Sequence, residues 1–395
     1  MPIEILRSRS NVGGRVAPIE LFFDLVYVFA ITQLSHLLLE HLDLQGVGLT
    51  LILALAVWWA WMYTTWSTNY LQPDHPGMRF TLVGVMVGGL VMAAALPDAF
   101  GEHAVWFAGG YVMIQVGRTI AVTVLSRGTT VQAVFIRVLV WLLMSAVLWI
   151  AGALVGGTAQ VLLWLAALAV EYAAPAIGYP TPFMPRSVTT DWTIDGSHMA
   201  ERCQLFVIIA LGESVLVTGA TLAGHDFNAG AVAAFVVSFL GSVALWWVYF
   251  DRTAEAAAEA IAASDDPGRL GRSAYTYIHI PMVLGIIVSA VGDELVIAHP
   301  GGHTSLATAL TVLGGPALFL VGHAMFKRAV FGYVPRNRVL AVAGLAALGL
   351  LALVAPPLVI STAAMLAIWG VAIWDSRQYR RLQATAAAAE EPQRA

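Results

Sequence analysis

Charge is what this chain has least of. Asp, Glu, Lys and Arg make up 11% of its 395 residues, against about 25% in soluble globular domains. So few charges cannot dress a water-facing surface when 59% of the residues are hydrophobic, and lipid must cover much of the exterior. Cysteine is nearly absent too. Cys203 stands alone, which excludes an internal disulfide, a thiolate-ligated cluster and a dithiol redox pair. No Gly-x-x-x-x-Gly-Lys-Ser/Thr loop, dinucleotide-binding glycine pattern, His-Glu-x-x-His pair or Gly-x-Ser-x-Gly elbow occurs. Nucleotide hydrolysis, dinucleotide binding and the common hydrolase chemistries therefore lack their motifs. Nucleic-acid binding is not indicated.

What the chain does have is long, continuous apolar runs. A barrel strand alternates over about ten residues, so these runs read as helices. Breaks at polar residues, Gly and Pro divide them into about twelve transmembrane helices: 18–40, 47–69, 79–97, 103–125, 131–155, 158–178, 199–223, 229–251, 273–297, 303–326, 337–355 and 357–375. The tight breaks at Gly156-Gly157 and Pro356-Pro357 admit either a loop or a bend. The N-terminus is polar through Gly14, and no small-residue cleavage site follows the first run, so that run is expected to be a permanent span. The expected class is an all-α integral membrane protein.

All 20 Lys and Arg fall on one side of this twelve-span reading. Arg7, Arg9 and Arg15 precede the first span; Arg377, Arg380, Arg381 and Arg394 follow the last; the others sit in or beside alternate loops. The opposite loops hold none. The positive-inside rule makes the basic side cytoplasmic, with both termini expected there.

The two halves resemble copies. Trp58-Trp59 matches Trp246-Trp247, and Met86 to Gly89 matches Met282 to Gly285. Gly109-Gly110 with Gly117-Arg118 matches Gly314-Gly315 with Gly322-His323, and Arg137-Val138 matches Arg338-Val339. Order is kept throughout. The pattern predicts a parallel 6+6 repeat, related by an axis along the membrane normal as in parallel-repeat transporters. The division is a tail at 1–17, a first repeat at 18–178, a Pro-rich cytoplasmic linker at 179–198, a second repeat at 199–375 and a tail at 376–395. Convergent membrane composition is the competing explanation, because Gly and Trp are common in such helices.

The first span carries Glu20-Leu-Phe-Phe-Asp24, and the seventh carries His198-x-x-Glu201-Arg202 followed by Leu211-Gly-Glu213-Ser214. This pair of motifs is similar to the bacterial low-temperature-requirement A (LtrA) family, over about residues 15–380. The resemblance implies a multi-span inner-membrane protein, linked by name to growth in the cold. It implies no catalytic residue and no cofactor.

Ionisable groups inside a span cost at least about 2.5–3.5 kcal/mol at its centre, which makes them functional candidates. Glu213 falls near mid-span, about 16 Å by helix rise from Arg202, so it needs another partner or a proton. Glu20 and Asp24 are four apart on one helix face, and Arg118, Arg202 or His198 could supply the cation between them. Glu201 belongs to the same motif. Arg118 and His323 occupy matched repeat positions; Arg118 could instead snorkel to the interface, and His323 could be a core histidine. Trp58, Trp59, Trp61, Tyr63, Trp66, Trp246, Trp247 and Tyr249 read as interfacial belt anchors. The loops opposite the basic side hold acids and histidines without metal-ligand spacing, so no metal site is expected.

Three functions compete. A secondary, ion- or proton-coupled transporter of a small solute would use the buried carboxylates. A lipid-, quinone- or pigment-binding protein, or an enzyme, would use Glu20, Asp24, His198, Glu201 and Arg202. A cold-response scaffold or sensor would use the charged cluster as a lock. The partners admitted are membrane lipids, an unidentified solute or ion, and a second copy of the chain. The topology has a direct check. Alkaline phosphatase fused after Asp43, Gly101 or Gly301 is expected to be active, and after Arg127 or Arg377 inactive; the reverse pattern would invert the orientation.

Overall fold

The computed structural model describes residues 5–7, 16–182, 184–185, 187–192, 194–225 and 227–390. Arg9, Arg15, Arg186 and Arg394 of the basic set lie outside the described residues. Among those described, the chain is helical, with only two isolated bridges, Leu6 to Leu71 and Thr181 to Met184. Eleven helices are long and apolar enough to cross a membrane.

In chain order the helices are α1 (Pro18–Glu40), α2 (Leu44–Tyr70), α3 (Pro76–Ala95), α4 (Ala104–Leu125), α5 (Thr130–Val155), α6 (Gly157–Ala176) and α7 (Gly196–Ala223). Then come α8 (Ala229–Phe250), α9 (Thr253–Ala262), α10 (Pro267–Ala298), α11 (Leu306–Phe331), α12 (Arg336–Leu351) and α13 (Pro357–Glu390). Local chemistry sets the ends. The Asp43, Asn228 and Ser305 side chains accept from the N–H groups of Gly46, Ala231 and Thr308, capping α2, α8 and α11. Pro18, Pro76 and Pro357 stand at helix starts, where a missing N–H costs nothing. Gly332 closes α11 at φ 81°, in the left-handed region.

Two expected boundaries are resolved. Gly156, at φ 73°, turns the chain back, so α5 and α6 are separate helices packed on each other. The run expected to span 337–355 forms α12, whose 16 residues stop at Leu351 ahead of Pro356-Pro357. That length rises about 24 Å, short of the roughly 30 Å apolar layer, which is why eleven helices rather than twelve reach spanning length.

The chain divides into two compact units. The first holds residues 1–213 and 257–280, and the second holds 214–256 and 281–395. In the first unit α2 lies at the centre, with Trp58, Trp59, Trp61 and Tyr63 all buried. These aromatics are packing residues, not the belt their composition suggests. Trp59 stacks on Tyr172 at 3.9 Å between centroids, and Trp58 donates to the Thr276 carbonyl at 2.9 Å. Trp246 and Trp247 are exposed, as an interfacial position requires, whereas Tyr249 is buried. In the first unit α3 and α4 approach at Gly88 and Gly110, and in the second α10 and α11 approach at Gly285 and Gly315. Small residues at such crossings let backbones touch, which is how helices associate without a hydrophobic driving force.

A β-carbon on Gly110 would lie 2.8 Å from the Gly88 oxygen, and one on Gly285 would lie 2.5 Å from the Phe319 nitrogen. Backbone cannot step aside as a side chain can. Gly110→Val and Gly285→Val are each expected to lower stability by about 1–3 kcal/mol or more, read as thermal unfolding in detergent. Gly109→Ala and Gly314→Ala, with nothing within 4 Å of the new atom, should leave the midpoint unchanged.

Candidate functional site

Pro18 and the extended backbone of Ala17 start α1 so that Glu20 occupies its third position. There its carboxylate accepts the Ala17 N–H at 2.9 Å, satisfying a donor the helix cannot pair itself. Asp24 lies one turn further on, and both side chains are buried. On α7, His198 and Arg202 have the same four-residue spacing. Two like-spaced pairs thus face each other across the α1–α7 seam of the first unit. His198 Nε2 meets Glu20 at 2.9 Å. The Arg202 guanidinium forks onto both Asp24 oxygens at 2.6 Å each, the bidentate geometry in which arginine binds carboxylate best. Trp61 donates to the same carboxylate at 2.8 Å. Phe23 and Trp61 offer ring faces to Arg202 at 5.8 and 5.4 Å, a favourable seat for a desolvated cation.

Further groups close the knot. Arg7 reaches Glu20 at 3.6 Å and donates to the Thr68 carbonyl at 3.2 Å. Burial pulls its guanidinium below the ordinary arginine value, opposed by Glu20, and arginine still remains cationic. The Asn69 amide is oriented by Asp195, whose N–H it accepts and whose carbonyl it donates to, both at 2.8 Å. That orientation aims the Asn69 NH2 at His198 Nδ1, 3.1 Å away. Nδ1 must then accept, so the ring proton sits on Nε2 and is donated to Glu20. A neutral His198 leaves two carboxylates against two guanidiniums, and the cluster balances.

Of the residues singled out in the sequence, the structure brings Glu20, Asp24, His198 and Arg202 together. Glu201 stands at the edge, accepting the Val16 N–H at 3.3 Å. Glu213 is elsewhere on α7, buried, with the Thr32 hydroxyl and His36 beside it. His323 is a buried core residue of the second unit, stacked near Phe319 at 6.2 Å. Arg118 does not join the knot, nor does it snorkel; it is 1% exposed. It donates to the Thr64 hydroxyl at 3.1 Å and the Ala60 carbonyl at 3.4 Å, and lies over the Tyr63 ring at 5.5 Å. Among the described residues no carboxylate comes within 4 Å of it.

A second cluster explains that position, and it escaped the sequence reading. Glu171, buried in α6, accepts from the Tyr111 hydroxyl, from Trp149 at 3.0 Å and from the Gln115 amide at 3.3 Å. Gln115 also offers its backbone carbonyl to Arg118 at 3.4 Å. One residue therefore bridges a buried carboxylate, through its side-chain amide, and a buried guanidinium, through its backbone carbonyl. Gln115 belongs to a π-helical turn, Met113–Gly117, a distortion found disproportionately at functional sites. The available signal was Glu171 itself, the one acid in an apolar run of twenty residues.

The knot is testable by a double-mutant cycle. Arg202→Met leaves a buried carboxylate uncompensated and is expected to cost about 3–5 kcal/mol. Asp24→Asn together with Arg202→Met should cost clearly less than the sum of the single changes, measured by denaturant unfolding in mild detergent; additive losses would show that the two groups are not coupled.

The family model described as bacterial low temperature requirement A protein (LtrA) matches residues 15–373. Among curated proteins, the chain is 36% identical to "Uncharacterized protein RA0937" of Rhizobium meliloti (strain 1021), over 97% of this chain and 94% of that protein. Both motif segments and, apart from Arg7, both buried clusters lie inside the matched region. The chain belongs to the bacterial low temperature requirement A (LtrA) family of multi-span membrane proteins.

Proposed function

We propose that this protein is a secondary transporter of a small solute, coupled to protons or another ion, and that Glu171 with Gln115 and Arg118 forms its coupling element. The observation that carries this reading is the separation of a buried carboxylate from a buried guanidinium by a single glutamine. A structural ion pair would close the gap to direct contact, as Asp24 and Arg202 do. An open pair in hydrocarbon keeps two separate options: the carboxylate can take a proton, and the guanidinium can take a counter-charge from solution. Glu213, with Thr32 and His36 beside it, is the second coupling candidate. The Glu20–Asp24–His198–Arg202 knot then serves to fix α1 against α7.

Twelve crossings and a cytoplasmic position for both termini accompany this reading. This reading requires α12 with the turn at 352–354 to serve as a short twelfth crossing, and the one-sided basic residues support the orientation. The glycine crossing that occurs in each unit, Gly88 with Gly110 and Gly285 with Gly315, supports a duplicated six-helix origin. In the first unit's aromatic cleft, pigment or quinone binding draws less support. The aromatic cleft ringed by Trp59, Tyr63, Trp66, Tyr179 and Trp192 encloses about 50 Å³, room for a water or two but not for a ring system.

The experiment is flux into proteoliposomes carrying an internal pH dye, with imposed proton, sodium and potassium gradients and a panel of charged and neutral small solutes. The wild-type protein is expected to move protons or cations only with its solute, and Glu171→Gln to abolish that coupling while the protein still unfolds cooperatively. Should no solute or gradient produce flux, with Glu171→Gln indistinguishable from wild type, the transporter reading fails.

A further inference from the structure

The second unit contains a basic cavity that the proposed transport reading does not use. It opens where α11 ends and α12 begins, beside residues 370–378 of α13, and has a volume of about 870 Å³. Its polar wall is Lys327, Arg336 and Arg377, and its apolar wall is Tyr333, Ile373 and Trp374. One carboxylate, Asp375, lies among them, and it is already occupied. Arg338 holds it at 2.5 Å, and the Asn337 amide donates to it at 2.7 Å. Among the described residues no carboxylate comes within 4 Å of Lys327, Arg336 or Arg377. The cavity therefore presents three cations without a direct ion pair, with Asp375 near Lys327 but held by Arg338.

Its place narrows the ligand. The cavity sits at the end of α11 and near the close of the apolar span Pro357–Arg380 of α13, both long and apolar enough to cross a membrane. Tyr333 and Trp374 are exposed, 52% each, and Ile373 46%. Such amphipathic rings beside cations mark the headgroup level of a bilayer. The same face carries Arg328 and Arg380, which on the positive-inside reading turns it to the anionic cytoplasmic leaflet. A free phosphate would need the cations alone. The aliphatic and indole surface running away from them suits a molecule with a charged head and a hydrocarbon tail.

We propose that this cavity binds the phosphodiester headgroup of an anionic phospholipid, with Lys327, Arg336 and Arg377 on the phosphate and Ile373 and Trp374 along the upper acyl chains. Arg338 and Asp375 act as its rigid floor, neutral as a pair. The volume is ample for a glycerophosphate head, and basic pockets between membrane helices on the cytoplasmic side commonly take such lipids.

The test uses the full chain in detergent. Native mass spectrometry would follow titration with phosphatidylglycerol, with phosphatidylcholine, and with phosphatidylglycerol in the presence of millimolar inorganic phosphate. Retained phosphatidylglycerol is expected, at least about tenfold over phosphatidylcholine, weakening with salt and indifferent to inorganic phosphate. Arg336→Gln with Arg377→Gln should lower retention by roughly tenfold to thirtyfold, since two of the three cations facing the headgroup are lost. Both side chains are exposed, so the double variant should fold, and an unchanged unfolding midpoint checks this. Equal retention of the two lipids, equal retention by the variant, or displacement by inorganic phosphate would overturn the proposal. If the variant unfolds early, the salt response of wild-type retention decides: none overturns it.

Discussion

The contact between Arg202 and Asp24 governs the rest of the first unit. Neither charge could be taken into an apolar interior alone, because the desolvation of each runs to several kcal/mol. Forked together at 2.6 Å they can be buried, and once buried they dictate what surrounds them. Trp61 must turn its N–H inward, Phe23 and Trp61 must line the guanidinium, and α1 must meet α7 in one register. Glu20 and His198, four residues back on each helix, then meet without further adjustment. A packing decision about one seam thus rests on one bidentate pair.

Much of this was legible in the sequence. Long apolar runs imply spans, and breaks at polar residues, Gly and Pro imply roughly where helices begin and end. The Glu20–Asp24 spacing already placed that pair on one helix face. What the sequence could not state was which face met which. Arg118, Arg202 and His198 were equal candidates to neutralise the two carboxylates, because spacing along a helix says nothing about neighbours across it. The Trp58–Trp61 aromatics illustrate the same limit. Composition puts tryptophan at an interface, and only packing shows it inside.

Glu171 was hidden for a different reason. A single acid amid twenty apolar residues has no local partner, and its three donors come from Tyr111, Gln115 and Trp149 on two other helices. The length of α12 was also obscure, since its hydrophobic pattern continues to Pro356 while the helix closes five residues earlier. Where the two clusters differ is in what they leave open. The knot pairs every charge and fixes the His198 tautomer through Asn69. The Glu171 cluster keeps carboxylate and guanidinium apart and is the softer of the two.

The π turn at Met113–Gly117 has a geometric consequence for that cluster. A π turn holds one residue more than an α turn needs, in the manner of an insertion that the helix absorbed. Wound as regular α-helix without the bulge, the same residues would rotate everything on the far side of the turn by about 100°. Arg118 would leave Thr64 and Ala60 and face a different neighbour or the lipid, while Tyr111 before the turn kept its hold on Glu171. The meeting of cation and carboxylate in this membrane helix therefore hangs on a count of residues as much as on their identity.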